Sequence, residues 1–206
     1  MDTGGLKDRD LSLKKQDRSQ DLFLNAMAKL VAWFLILVFF LFPSGTCLAD
    51  GISWHTLGFR YGTNEGIDKK TDLRRYEIFG ILSLPWSWQI ASNIDLDTRF
   101  IASGGLLDGE GDQGFVGILS PGICFTDRSK RFSLEFSGGI VIIPDYRIGE
   151  EDFGGPLQFT FEVGIGLRLF KHLGLGYRIQ HYSDASLFGS DNRGVDWQLF
   201  EVSYRF

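Results

Sequence analysis

The sequence is poor in the residues that build metal centres and disulfide frameworks. It has two cysteines, Cys47 and Cys124, and three dispersed histidines at positions 55, 172 and 181. No C-x-x-C pair and no Walker-type phosphate loop occurs, so we predict neither a metal site nor a nucleotide site, and no cofactor. The net charge is −5, whereas nucleic-acid partners demand a basic face, so a nucleic-acid partner is not expected.

Long hydrophobic runs are also scarce, and the one that stands out lies near the N-terminus at residues 30–42. Lys29 precedes this run, and the small residues of Cys47–Ala49 follow it, which is the layout of a secretory signal peptide. The run is shorter than the roughly 20 residues that a membrane-spanning helix needs. Once the signal is removed, Cys124 is left alone and can form no internal disulfide.

These features predict two regions. Residues 1–49 form an N-terminal extension and signal peptide, cut after Ala49, and residues 50–206 form one exported domain. Met27 directly precedes the signal features, so the sequence leaves open whether Met1 or Met27 is the true start.

The exported region shows no helical period and instead alternates apolar residues with glycine, serine or charge. Eight runs have this period of two: 54–62, 72–84, 86–102, 113–125, 132–142, 157–169, 173–183 and 196–206. A glycine-rich loop is predicted over 103–112, and the second run is expected to end at Pro85. The pattern predicts an all-β fold, an eight-stranded antiparallel transmembrane β-barrel.

The two faces of these strands differ in character. Charged residues share the face that we expect to point into the barrel: Arg60, Glu135, Glu162, Arg168 and Arg178. A soluble barrel or sandwich also alternates, but its exterior would here be mostly glycine, serine and threonine, with few lysines. The strand that ends in Phe206 resembles the sorting signal of bacterial outer-membrane barrels, which together with the signal peptide predicts the outer membrane of a Gram-negative cell.

The last two runs carry polar residues on an apolar face. By parity, His181, Ser183 and Asp196 continue the face that should contact lipid, near the outer ends of their strands. A serine becomes nucleophilic when a base takes its proton, and a carboxylate can orient that base. The set therefore predicts acyl transfer on a lipid ester at the outer leaflet, although an interfacial histidine and two loop residues would give the same pattern without chemistry.

The residues 181–185, His-Tyr-Ser-Asp-Ala, followed by Asn-Arg-Gly-Val-Asp at 192–196 and a Phe-terminated strand, resemble the lipid A 3-O-deacylases. The resemblance implies an eight-stranded outer-membrane esterase that hydrolyses the 3-O-linked acyl chain of lipid A without a cofactor. It also implies roles for His181 as general base, Ser183 as nucleophile and Asp196 as orienting acid.

The chain departs from the family motifs H-Y-S-N-A and N-x-G-I-E at three positions. Asp196 replaces the family's glutamate, Asp184 replaces an asparagine of the oxyanion hole, and Ser186 replaces a glycine. An ionised Asp184 would repel the oxyanion, so the stabilising donors could be backbone N–H groups such as that of Ser186. The sequence leaves open whether the enzyme is active, which acyl chain it cuts and whether the barrel forms a homodimer. The alternatives are an esterase for another lipid and a non-catalytic barrel with a structural or surface-binding role.

Overall fold

A computed structural model of the chain describes residues 51–64, 72–185, 187 and 194–206. The predicted signal peptide, residues 1–49, and the predicted oxyanion residue Ser186 lie outside the described residues. Within the described part of the chain, no helix is both long and apolar enough to cross a membrane.

Eight antiparallel strands close into a barrel, which confirms the predicted fold class. They are β1 (Ser53–Thr63), β2 (Leu73–Ala91), β3 (Ile94–Gly109), β4 (Asp112–Asp127), β5 (Phe132–Ile142), β8 (Leu157–Arg168), β9 (Leu173–Ser183) and β10 (Gly194–Arg205). Around the barrel the order is β1-β10-β9-β8-β5-β4-β3-β2, and a two-stranded hairpin, β6 (Arg147–Ile148) with β7 (Glu151–Asp152), lies between β5 and β8. We call the end that holds Ser53 and Phe206 the terminal end, and the opposite end the loop end.

The predicted break at Pro85 was wrong. β2 continues through Pro85 to Ala91, and the pairing with β3 shifts register between Ser83 and Ser87. Proline cannot donate a hydrogen bond to a sheet, but it is tolerated where a bulge interrupts the pairing. The chain therefore turns at Ser92 and Asn93 instead.

The predicted glycine-rich loop over 103–112 was also wrong. β3 runs to Gly109, and the turn consists of Glu110 and Gly111, which both have positive φ angles, 55° and 91°. A two-residue hairpin of this kind requires positive φ at both positions. Gly105 allows β3 to lie close to β2, because a Cβ there would overlap the carbonyl oxygen of Tyr76 on β2.

Charged side chains fill the middle of the barrel in a balanced network. Arg60 and Arg178 lie at its centre, and both contact Glu162 and Glu201 at 2.5–3.2 Å. The network as a whole contains four arginines and four glutamates, all at least nine-tenths buried: Arg60, Arg75, Arg99, Arg178, Glu77, Glu135, Glu162 and Glu201. The predicted inward face is confirmed for all five charged residues; Arg168, half-buried at the terminal end, lines the barrel interior there and donates to the Ser129 carbonyl oxygen.

An apolar layer, which the charge pattern did not predict, fills the loop end of the barrel. Its members include Leu73, Leu107, Val116, Tyr182, Val195 and Trp197. Ile148 of the hairpin and Phe153 after it are 1% exposed and belong to the same cluster, so the segment between β5 and β8 covers this end. Large apolar residues on the outer face remain exposed, for example Ile165 at 60% and Phe161 at 56%. An exposed apolar outer face over a charged interior is the arrangement of membrane barrels.

Candidate active site

β9 and β10 bring the three predicted site residues together on the outer face at the loop end. In the register of these strands Asp196 lies directly opposite His181, and Gly194 lies opposite Ser183. The side chains of His181 and Asp196 are 50% and 43% exposed. His181 and Asp196 thus lie on the outer face, and Ser183, two residues after His181 on β9, has the same strand parity.

His181 and Asp196 form a close hydrogen-bonded pair. His181 Nδ1 lies 2.6 Å from Asp196 Oδ1, so the ring donates its Nδ1–H to the carboxylate. This bond fixes the imidazole tautomer and leaves Nε2 as the ring atom that can accept a proton. The aspartate, although one methylene shorter than the family's glutamate, reaches the histidine because the two residues are direct cross-strand partners.

Gly194 gives the imidazole its space. A Cβ at this position would lie 3.0 Å from Cε1 and 3.3 Å from Nε2 of His181, and 2.6 Å from the Tyr182 carbonyl oxygen. The Nε2 edge of the ring therefore lies over Gly194, which is the cross-strand partner of Ser183. The sequence motif contained this glycine without showing its role. The signal that could have revealed the role is its place opposite the serine once the strands are paired.

A tight turn follows Ser183. The Ala185 N–H donates to Ser183 Oγ at 3.1 Å, and the Leu187 N–H donates to the Asp184 carbonyl oxygen at 3.0 Å. Ala185 has a φ of 50°, an uncommon conformation for a residue with a side chain. Asp184 is 1% exposed, whereas Ser183 is only half-buried, so the two neighbouring side chains have different surroundings.

Behind the site lies a buried arginine that sequence reasoning missed. The guanidinium carbon of Arg75 is 4.7 Å from the ring centre of Trp197 and 5.1 Å from that of Tyr182. Arg75 Nη2 also donates to Gln180 Oε1 at 2.5 Å. These contacts fall on the residues next to His181 and Asp196 in sequence, so Arg75 braces both strands from inside. We refer to Arg75, Tyr182 and Trp197 as the inner brace.

Beside the site, β8 presents an apolar surface. Phe161 pairs with His181 and Phe159 pairs with Ser183 in the strand register. These phenylalanines are 56% and 43% exposed on the outer face. The site is therefore polar on β9 and β10 and apolar on β8, which suits a substrate that carries an acyl chain beside a polar head.

The residue types of this set are suited to nucleophilic chemistry. In the ranges that the structure describes, no group of three histidine, cysteine, aspartate or glutamate side chains is arranged to hold a metal ion. Cys124 is buried and is a free thiol within the part of the chain that the structure describes. A serine, a histidine and a carboxylate remain, and they are suited to transfer an acyl group through a covalent intermediate.

Comparison with known proteins identifies the family to which this chain belongs. The sequence profile of the lipid A 3-O-deacylase (PagL) family matches residues 76–205. A crystal structure of the outer membrane enzyme PagL is similar in fold: the TM-score is 0.60 at 20% identity, over 72% of this chain and 97% of that one. Two further structures match less well. A de novo designed transmembrane β-barrel has a TM-score of 0.37 at 10% identity, over 74% of this chain and 95% of that one. The outer membrane protein OprG from Pseudomonas aeruginosa has a TM-score of 0.29 at 12% identity, over 77% of this chain and 97% of that one. No curated protein matches the chain. Because the profile spans well over half of the residues, the chain belongs to the lipid A 3-O-deacylase (PagL) family.

Proposed function

We propose that this chain hydrolyses the 3-O-linked acyl ester of lipid A, with Ser183 as nucleophile, His181 as general base and Asp196 as orienting acid. The observation that carries the proposal is the 2.6 Å contact between His181 and Asp196 on the outer face of the barrel, on the strand that bears Ser183. Membership of the family supplies the substrate class.

The proposal includes a location. The segment 1–49 contains the export signal, and the barrel inserts into the outer membrane of a Gram-negative cell. The terminal end faces the periplasm, because short turns of such barrels face that side, and the loop end faces outward. The site then lies at the depth of the outer leaflet, where lipid A is found, and no step requires a second copy of the barrel.

In the first step the ester is exchanged for an acyl-enzyme. Ser183 Oγ attacks the carbonyl carbon while His181 Nε2 takes the hydroxyl proton. Asp196 stabilises the imidazolium through the Nδ1–H bond. The tetrahedral intermediate then collapses: the bond to the sugar oxygen breaks, and the imidazolium protonates that oxygen as it leaves.

In the second step water replaces the sugar. His181 Nε2 accepts a proton from a water molecule, whose oxygen attacks the acyl carbon, and the imidazolium then returns the proton to Ser183 Oγ. The products are a free fatty acid and a lipid A that has lost one acyl chain. The acyl chain lies along Phe159 and Phe161 throughout, because these residues form the apolar side of the site.

We assign the oxyanion-stabilising donors to backbone N–H groups of the residues that follow Ser183. Asp184 is 1% exposed whereas Ser183 is half-buried, so this assignment takes the donors from the backbone and not from the Asp184 side chain. Donors aimed at such an oxyanion contribute about 2.7–4 kcal/mol of transition-state stabilisation each.

The first prediction is tested by mass spectrometry of lipid A. Wild type and Ser183→Ala are expressed in an outer membrane that carries 3-O-acylated lipid A. We expect wild type alone to remove one acyl chain from position 3, because Ser183 is the proposed nucleophile and alanine cannot form the acyl-enzyme. Electrophoretic mobility with and without heating verifies that both barrels are folded.

Intact lipid A with both folded proteins would count against this substrate or against an active site. The next variant would then be Asp184→Asn, which restores the family residue. A gain of activity would trace the loss to the position after the serine, whereas continued inactivity would favour the non-catalytic barrel.

A further inference from the structure

The terminal end of the barrel opens into an interior cavity that the deacylation chemistry does not use. The cavity measures about 40 Å³, which is room for a few water molecules or for one small anion. Five arginines line it: Arg99, Arg131, Arg168, Arg178 and Arg205. Its lining has only two acids, Glu135 and Glu201, so the local charge is positive in a chain whose net charge is −5.

The two acids are already engaged by the central network. Glu135 contacts Arg99 at 3.0 Å and Arg178 at 2.8 Å. Glu201 contacts Arg60 at 2.5 Å and Arg178 at 2.7 Å. Both carboxylates therefore neutralise the deeper arginines and leave the arginines nearer the mouth without an acid.

Three arginines at the mouth lack a carboxylate partner among the described residues: Arg131, Arg168 and Arg205. Arg168 donates to the Ser129 carbonyl oxygen, and Arg205 Nη2 lies 3.5 Å from His55 Nε2. Like charges held together without a counterion destabilise the protein, and a bound anion would relieve that repulsion.

Arg99 adds an independent sign that a ligand is accommodated. This residue is 4% exposed and lines the cavity, yet its Nε–H has no hydrogen-bond partner in the described structure. A buried N–H without a partner is costly, so such groups are usually satisfied by water or by a ligand.

From these contacts we infer that the terminal-end cavity is a binding site for a phosphate group. Guanidinium groups bind phosphate oxygens with two parallel hydrogen bonds, and three uncompensated positive charges favour a multiply charged anion. The cavity admits one phosphate while the rest of the molecule stays outside the mouth. The phosphate can come from a soluble phosphate compound or from a lipid headgroup at the membrane surface. This site is separate from the Ser183 site and does not depend on the proposed deacylation.

The test is calorimetric titration of the full folded chain in zwitterionic detergent micelles with inorganic pyrophosphate, at fixed ionic strength. The variant Arg131→Gln/Arg205→Gln removes two of the uncompensated charges. The variant Arg74→Gln/Arg147→Gln removes two exposed charges near the loop end and serves as the matched control. We expect at least tenfold weaker binding in the first variant and unchanged binding in the control.

A second experiment distinguishes a lipid headgroup from a soluble compound as the source of the phosphate. The barrel is placed in phosphatidylcholine vesicles with and without phosphatidic acid, whose headgroup is a phosphate monoester. If a lipid headgroup enters the cavity, phosphatidic acid raises the thermal unfolding temperature of wild type but not of Arg131→Gln/Arg205→Gln, and it weakens pyrophosphate binding. If the natural ligand is soluble, pyrophosphate binds equally in both vesicles.

Absence of binding to wild type, or equal loss of affinity in both double variants, would overturn the inference, since either result means that the arginines act only as a diffuse surface charge. Should the first variant fail to fold, Arg99→Lys replaces it. That change keeps a cation beside Glu135 but removes the unsatisfied Nε–H, and we expect it to weaken binding about fivefold. Unchanged affinity in a folded Arg99→Lys protein would contradict the inference as well.

Discussion

The smallest residue near the site has a large influence on its geometry. Gly194 lies beneath the imidazole of His181, and any side chain there would press on the ring and on the backbone of β9. The hydrogen bond to Asp196 fixes the Nδ1 edge of the ring, and the Nε2 edge fits into the space above Gly194. The position of Nε2 relative to Ser183 therefore depends on the absence of a side chain as much as on a contact.

At this scale we predict that Gly194→Ala lowers the rate of lipid A deacylation by about 10–100-fold in a folded barrel, because a displacement of the order of 1 Å can reduce catalysis by about 10²-fold. Gly104→Ala is the matched control, because its Cβ would meet no atom closer than 3.7 Å. Deacylation rates in detergent micelles measure the effect. Equal rates for the two variants would show that the ring does not need this space.

The sequence predicted which face each site residue occupies, because parity along a strand is a local property. It implied that Asp196 orients His181, but not that the two residues are direct cross-strand partners, since that depends on the register between β9 and β10, which parity along a single strand does not specify. The role of Gly194 was missed for the same reason.

Among the elements, β9 and β10 act as one unit because the inner brace joins them from behind. Arg75 comes from β2, stacks on Tyr182 and Trp197 and donates to Gln180. Tyr182 and Trp197 are fully buried, so the brace holds the backbone that carries His181 and Asp196 on the opposite face.

We predict that Arg75→Lys lowers kcat for deacylation by about tenfold and changes KM little, because lysine keeps the charge near Glu77 but loses the planar stacking surface and the fork of donors. Amide hydrogen exchange at Tyr182 and Val195 should become faster. Arg60→Lys, an equally buried change in the central network, is the comparison. If both variants lower kcat and exchange protection at these amides equally, Arg75 is a general stabilising residue rather than a positioning one.

Strand existence was predictable from alternation, but strand ends were not. Pro85 and the glycines of 103–112 are typical of breaks, yet both lie within strands, because a bulge accepts the proline and close strand approach requires Gly105. The sequence did not reveal the inner brace, because the inward-facing apolar residues at the loop end lie on the same strand faces as the charged residues in the middle of the barrel. Only the closed barrel shows that Arg75 on β2 meets the last two strands across its interior.

For the whole molecule, the interior has two layers with different chemistry. The apolar layer fills the loop end, and the charged network fills the middle, where four arginines match four glutamates. Glu162 connects two of the arginines: its carboxylate accepts from Arg178 at 3.0 Å and from Arg60 at 3.2 Å. The network links strands that are far apart in sequence, so its integrity affects the entire barrel.

We therefore predict that Glu162→Gln destabilises the folded barrel by about 3–5 kcal/mol, because it removes one of the two carboxylates that Arg60 and Arg178 share and leaves the buried network with an uncompensated positive charge. Arg147→Gln breaks an ion pair with Asp152 whose arginine is 71% exposed, and it should cost at most about 1 kcal/mol. Urea unfolding in phosphatidylcholine vesicles, followed by tryptophan fluorescence, measures both free energies under one set of conditions. A Glu162→Gln barrel as stable as the Arg147→Gln barrel would mean that water inside the barrel screens these charges, and the central network would then contribute little to the stability of the fold.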